Sequence, residues 1–205
     1  MTSIPTDGHA TDASLDPAGG HSSHASYNLT GFIIFLCSES VIFLAFFAGT
    51  ITFKLSSPLW LPPGVEALEV REPLINTVIL VSSSVVAWVA ERQLQLRRLW
   101  AFRAWWLLTM AMGTYFVVGQ AIEWMHLPFG ITNGVYGGIF YLLTGFHGLH
   151  VISGVLLMGL MLIRSFRPGN YEQGEAGVIS VSLFWHFVDV IWIVLFLLIY
   201  VWQPA

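Results

Sequence analysis

Five ionisable side chains fall inside long apolar stretches of this 205-residue sequence: Glu39, His147, His150, His186 and Asp189. A charge is costly in apolar surroundings, so residues of this kind usually serve a function or bind one another. His147 and His150 are three residues apart, as are His186 and Asp189, and each pair is therefore expected to share one face of a helix. The positions of the five side chains along the apolar stretches predict that they form one polar layer.

Three kinds of chemistry suit these residues, and the residues alone leave all three open. Two His-rich helix faces could hold a haem or a di-metal centre, although such bundles normally supply more carboxylates. A chain of Glu, His and Asp could relay protons or line a transport path. Against transport, no pair of segments interrupted by Gly or Pro suggests an inverted repeat. Alternatively, the side chains satisfy one another and fix the helix packing.

The composition indicates that these residues lie within a membrane. Hydrophobic residues make up 56% of the chain and charged residues only 10%, whereas a soluble domain carries about 25% charged residues. The net charge of -4 and the 8 Lys and Arg residues leave no basic surface for nucleic acid. The single cysteine, Cys37, excludes an internal disulfide and a Cys-ligated cluster. We therefore expect an integral membrane protein with no nucleic-acid partner.

A spanning helix needs about 20 mostly apolar residues, and five stretches meet this requirement: residues 31–53, 73–90, 104–122, 135–163 and 176–202. They are uniformly apolar, whereas the strands of a membrane barrel alternate in polarity. The sequence therefore predicts an all-α, polytopic membrane bundle of five transmembrane helices within one domain, residues 27–205. Counting along the spans places all five ionisable residues near mid-membrane.

The distribution of charge orients the chain. Six of the 8 Lys and Arg residues belong to the second and fourth links between spans: Arg92, Arg97, Arg98, Arg103, Arg164 and Arg167. The positive-inside rule places these links in the cytoplasm, which predicts a cytoplasmic N-terminus and an outside C-terminus.

The first 26 residues differ from the rest of the chain. Residues 1–26 are polar and lack Lys and Arg, which is typical of neither a secretory signal nor a mitochondrial presequence. We interpret them as a disordered cytoplasmic tail. Three histidines lie in it, at His9, His21 and His24. Without fixed geometry they are not expected to bind metal.

Two motifs around the intramembrane residues resemble a known family. Residues 144–151 (TGFHGLHV) and 185–192 (WHFVDVIW) are similar to the fingerprint of subunit III of haem-copper oxidases. Residues 35–40, 73–77, 128–131 and 134–137 support the similarity, which extends over roughly residues 27–202.

The resemblance implies a core subunit of a proton-pumping terminal oxidase of aerobic respiration. In that family, subunit I holds haem and copper and reduces oxygen, and subunit II receives electrons from cytochrome c. Subunit III has no redox centre; it packs on subunit I, binds phospholipid and supports proton uptake. The resemblance therefore implies no metal, no cofactor and no catalytic residue of this chain's own. It also implies direct contact with subunit I, a complex with subunit II, and residence in a bacterial plasma membrane.

Position by position, the resemblance assigns the five intramembrane ionisable residues to a buried polar core linked to proton movement. It assigns Arg164 to a lipid headgroup, whose phosphate suits its charge. Many members have seven spans with a lipid-holding cleft, whereas this sequence offers five, so the second wall of such a cleft would come from another subunit. Quinol oxidases also include five-span relatives, but Glu39 and the 76–77 pair are more similar to the branch that oxidises cytochrome c. A stand-alone haem-binding or proton-coupled transport protein is the alternative from another class.

Overall fold

The computed structural model describes residues 19–57, 60–61, 68–167, 171 and 175–203, with side chains described from Leu29 onward. These residues form five long helices: α1 (Gly19–Ser56), α2 (Arg71–Gln95), α3 (Leu99–His126), α4 (Gly134–Arg164) and α5 (Ala176–Phe196). A single wider π-helical turn, Leu197–Val201, continues α5. All five helices are long and apolar enough to cross a membrane. The predicted all-α membrane bundle is therefore confirmed.

The first helix begins earlier than the predicted first span. Its start at Gly19 lies inside the segment predicted as a tail, and no Gly or Pro interrupts residues 21–30. Nothing in that local sequence therefore ends the helix. Residues 1–18 lie outside the described part of the chain, as do the side chains of all three tail histidines, His9, His21 and His24.

The α2–α3 link is a tight turn closed by Arg97, whose φ of 60° lies in the left-handed region. The Arg97 amide donates to the Leu94 carbonyl at 2.8 Å and the Arg98 amide to the Gln93 carbonyl at 2.9 Å. This pair of bonds is a common helix ending, in which the left-handed residue is usually Gly. Here the Arg97 guanidinium also donates to the Tyr171 carbonyl at 2.7 Å, so the link is fastened to the α4–α5 link.

The most buried helix is α5. In the most apolar segment of α5, 56% of the residues are buried inside the bundle, compared with 17% for α1 and 28–33% for the other three helices. Helices α2, α3 and α4 follow one another around α5, and α1 packs on the outside against α5 and α4. Large apolar side chains on the outer surface, such as Leu44 at 62% and Leu156 at 65% exposure, suit contact with lipid.

One indole ring of α5 fixes the position of three other helices. Trp185 is fully buried, and its Nε1 donates to the Ser83 hydroxyl of α2 at 2.9 Å. Its ring lies against Gly154 of α4, where an added Cβ would be 2.8 Å from the ring, and against Gly113 of α3, where the space is tighter still. Close helix approach in membranes commonly uses such small residues.

The cationic links lie together at one end of the bundle. Arg103 donates through Nε to the Ser165 hydroxyl at 3.1 Å and through Nη2 to the Ser165 carbonyl at 2.5 Å. At the opposite end, the Gln203 side chain pairs with the Leu68 backbone, accepting from its amide at 2.7 Å and donating to its carbonyl at 3.0 Å. The second and fourth links therefore share one end of the bundle, and the side of the membrane that this end faces stays a prediction.

Candidate functional site

A hydroxyl of α2 bridges two of the predicted polar residues of α5. Ser84 Oγ lies 2.9 Å from His186 Nδ1, and the same hydroxyl donates to Asp189 Oδ2. A hydroxyl has one hydrogen, so His186 Nδ1 supplies the hydrogen of its own contact while the Ser84 hydrogen goes to the carboxyl group. Asp189 is only 3% exposed. The three side chains form a short hydrogen-bonded chain in which each hydrogen has an acceptor.

The same face of α2 carries two further polar contacts with α5. Trp185 donates to Ser83, and Trp192 Nε1 donates to the Thr77 hydroxyl at 2.9 Å. Ser82, by contrast, is exposed and donates to the Ile79 carbonyl of its own helix. A polar seam formed by Thr77, Ser83 and Ser84 therefore joins α2 to α5.

Glu39 of α1 and His150 of α4 form a separate pair. Glu39 Oε2 lies 3.3 Å from His150 Nε2, and His150 Nδ1 lies 2.8 Å from the Phe146 carbonyl. A carbonyl only accepts, so Nδ1 carries a hydrogen. Nε2 then has none in the neutral ring, and the bond to Glu39 needs one additional proton, held either by the imidazole or by the carboxyl group. The contact therefore forms a hydrogen bond when one of the two side chains carries that proton.

His147 has surroundings of a different kind. Its side chain is fully buried, and neither ring nitrogen has a hydrogen-bond partner among the described residues. Its ring lies 4.8 Å from that of Trp192 and 5.8 Å from that of Phe116, measured between centroids. His147 therefore packs as an aromatic side chain between α3 and α5.

The five predicted residues thus occupy three places. His186 and Asp189 share a face as expected, and Glu39 meets His150, but the hydrogen bonds of the described residues do not connect these two groups. His147 points to α3 and α5, whereas His150 points to α1. Within the described ranges, no three His, Cys, Asp or Glu side chains come together as metal ligands.

The comparison with known proteins decides the family. The sequence profile of a family described as Cytochrome c oxidase subunit III matches residues 12–204. The chain belongs to the cytochrome c oxidase subunit III family. It is 41% identical to a cytochrome c oxidase subunit 3 of Synechocystis sp., over 89% of this chain and 79% of that protein.

Two other relatives of the same name agree with this assignment. The protein of Thermostichus vulcanus is 41% identical over 87% of this chain and 89% of its own length. The protein of Lumbricus terrestris is 38% identical over 90% of this chain and 74% of its own length. Membership of the subunit III family makes the chain a membrane subunit of the cytochrome c oxidase complex, as the sequence motifs predicted.

Arg164, to which the resemblance assigned a lipid, is the last residue of α4 and is exposed. It stands at the cationic end of the bundle near Tyr171, whose hydroxyl donates to the Met161 carbonyl at 2.7 Å. Burial raises the pKa of the Tyr171 phenol, and the positive charge of Arg164 partly opposes that rise.

The opposite end of this subunit III carries a groove that the sequence did not reveal. It has a volume of about 580 Å³ and lies between the beginning of α2 and the end of α3. Among the described residues, its lining includes the ionisable side chains of Glu69, Glu72, Glu123, His126 and Tyr115. The one sequence feature that could have indicated the groove is the group of Glu residues near the predicted span ends. Such groups are common on polar surfaces and do not by themselves indicate a groove.

Proposed function

We propose that this chain is the non-redox subunit III of a proton-pumping cytochrome c oxidase of a bacterial plasma membrane. It packs directly on subunit I, within a complex that contains subunit II and receives electrons from cytochrome c. Haem and copper belong to the partner subunits. The N-terminus is cytoplasmic, a proposal supported by the cations gathered at the end of the bundle that holds the second and fourth links.

The observation that carries the proton-linked part of the proposal is the Glu39–His150 pair. A neutral imidazole has one N–H, which the Phe146 carbonyl accepts. The hydrogen bond between His150 and Glu39 therefore needs one additional proton. The two side chains are 18% and 13% exposed, so they are accessible from the surface of the bundle. General acid–base groups of this kind take up and release protons where a relay requires it.

The cationic end supports the proposed lipid site. Arg164 is exposed there, and Arg98 and Arg167 are exposed cations of the same two links. A phospholipid phosphate binds guanidinium groups through charge-assisted hydrogen bonds. We expect Arg164→Gln to reduce the anionic phospholipid that co-purifies with the complex, and unchanged lipid content would contradict this role.

Purification of the tagged chain in mild detergent tests the proposed complex. We expect a haem-bearing subunit I to co-purify and the preparation to oxidise reduced cytochrome c. A lone chain with its own Soret band, or a chain that transports by itself, would overturn the proposal. A complex that oxidises quinol but not cytochrome c would overturn the proposed electron donor.

A double-mutant cycle tests the proton-sharing pair. In the purified complex, Glu39→Gln and His150→Gln are each expected to lower oxygen consumption most at alkaline pH, where free protons are scarce. Because the two residues act together, the double variant should be no slower than the slower single variant. Additive losses, or losses that do not depend on pH, would show that the residues act separately or only support packing.

A further inference from the structure

The groove between α2 and α3 has a distinct chemical character. Within the described part of the chain, its lining includes three carboxylates, Glu69, Glu72 and Glu123, together with His126, and no Lys or Arg. Glu69, Glu72 and His126 are exposed, so the groove presents its negative charge to solvent or headgroups. No part of the proposed oxidase role uses these residues. Charge complementarity favours a cationic ligand.

An unpartnered amide inside the groove also indicates a ligand. Asn76 lines the groove and is only 8% exposed, yet its side chain makes no hydrogen bond to the described residues. The amide atoms are not enclosed by protein, so they open onto the groove and are available to a ligand. Gly119 of α3 makes room for it, since a Cβ there would lie 3.0 Å from Asn76 Cγ. The amide offers one acceptor and two donors to a molecule in the groove.

The rim of the groove is held in place by contacts from elsewhere in the chain. Gln203 fixes the backbone of Leu68 through two hydrogen bonds. Glu123 accepts from Tyr200 through Oε1 and from Gln120 through Oε2, each at 2.9 Å. The acceptors are therefore positioned before a ligand arrives, which lowers the entropy cost of binding.

The position of the groove points to a lipid. It lies where the apolar segments of α2 and α3 begin and end, at the level at which headgroups meet a spanning helix. From it, an exposed apolar row on α3 runs toward the middle of the bundle, formed by Ile122 at 47%, Val118 at 51% and Tyr115 at 53% exposure. This row suits an acyl chain.

We propose that this groove binds the headgroup of a phospholipid with a primary ammonium group, of the phosphatidylethanolamine type. The ammonium donates hydrogen bonds to the Glu72 and Glu123 carboxylates and to the Asn76 carbonyl. The Asn76 amide nitrogen donates to the phosphate. A choline headgroup has no N–H to donate, so the site discriminates against it. This site is at the opposite end from Arg164 and has the opposite charge preference.

Photo-crosslinking in the purified oxidase complex tests the site. The probes are phosphatidylethanolamine and phosphatidylcholine that carry the same photoreactive acyl chain, and mass spectrometry locates the label. We expect the ethanolamine probe to label residues 115–122 and the choline probe to label them at least about tenfold less. Choline loses all three hydrogen bonds of the ammonium, and the loss of one hydrogen bond to a charged group already corresponds to about tenfold.

Variants show whether the groove itself is responsible. Asn76→Leu should reduce labelling by the ethanolamine probe about tenfold, and Glu72→Gln, at an exposed position that leaves folding intact, should also reduce it. Glu91→Gln removes a carboxylate outside the groove and should leave labelling unchanged. Equal labelling by both probes, labelling that survives both groove variants, or a cross-link from the groove to a neighbouring oxidase subunit in place of lipid would overturn the proposal.

Discussion

Removing the Ser84 hydroxyl tests whether the α2–α5 seam stabilises the bundle. Ser84→Ala leaves His186 Nδ1 and Asp189 Oδ2 without the partner that both now have. Asp189 Oδ1 already has no hydrogen-bond partner among the described residues, so the whole carboxyl group becomes unpaired. The substitution changes volume little, and its effect therefore reports hydrogen bonding rather than packing.

The size of the effect follows from the two bonds that are lost. Leaving a buried polar group unpaired costs about 1–3 kcal/mol in soluble proteins. Within membranes, double-mutant cycles average about 0.6 kcal/mol per hydrogen bond and reach about 1.7, because the unfolded chain finds other partners there. Two bonds, one of them to a carboxyl group, therefore give about 1–3 kcal/mol in total. For a chain of this size that lowers the thermal midpoint by about 2–12 °C.

The assay heats the purified oxidase and uses size-exclusion chromatography to find the temperature at which half of the chain has dissociated from the complex. This temperature is the thermal midpoint. Ser82→Ala is the matched control, because Ser82 is exposed on the same helix and bonds only to the carbonyl of Ile79. We expect the control to remain within about 0.5 kcal/mol of the parent. Equal midpoints for the Ser84 and Ser82 variants would refute the argument that the bridge stabilises the bundle.

Three other substitutions examine the remaining contacts. Gly154→Ala places a Cβ 2.8 Å from the ring of Trp185 and should cost about 1–3 kcal/mol through overpacking, measured by the same midpoint. Thr77→Val keeps the side-chain shape but removes the acceptor of Trp192 Nε1. The stability of the bundle should fall by about 1 kcal/mol, and an unchanged indole environment in fluorescence would contradict the contact. Gln203→Ala frees the backbone before α2, so hydrogen exchange at residues 68–70 should accelerate, and unaltered exchange would count against the clamp.

The helices were predictable because their signal is local. A run of about 20 apolar residues reports a spanning helix whatever its neighbours are, and all five runs became helices. The helix ends were less predictable, because polar residues extend a helix beyond the apolar segment. The span predicted at 104–122 became Leu99–His126 in this way.

The contacts between helices were not predictable, because they depend on how each helix is rotated. Residues three apart differ by about 60° in direction around a helix, which is enough to turn His147 toward α3 and α5 and His150 toward α1. Three consecutive serines likewise give no indication that Ser83 and Ser84 reach α5 while Ser82 does not. The groove depends on Gln203, which lies 135 residues from its partner Leu68.

The distribution of hydrogens among the polar groups separates their roles. Ser84 joins His186 and Asp189 beside the most buried helix, and there each hydrogen already has an acceptor, so the arrangement needs no exchange of protons to persist. Glu39 and His150 lie beside α1, the least buried helix, and their contact requires an added proton. A group that exchanges protons must be reachable, and a group that fixes packing is best enclosed. We therefore expect substitutions in the α2–α5 seam to change stability first, and substitutions of the α1–α4 pair to change the pH dependence of turnover first.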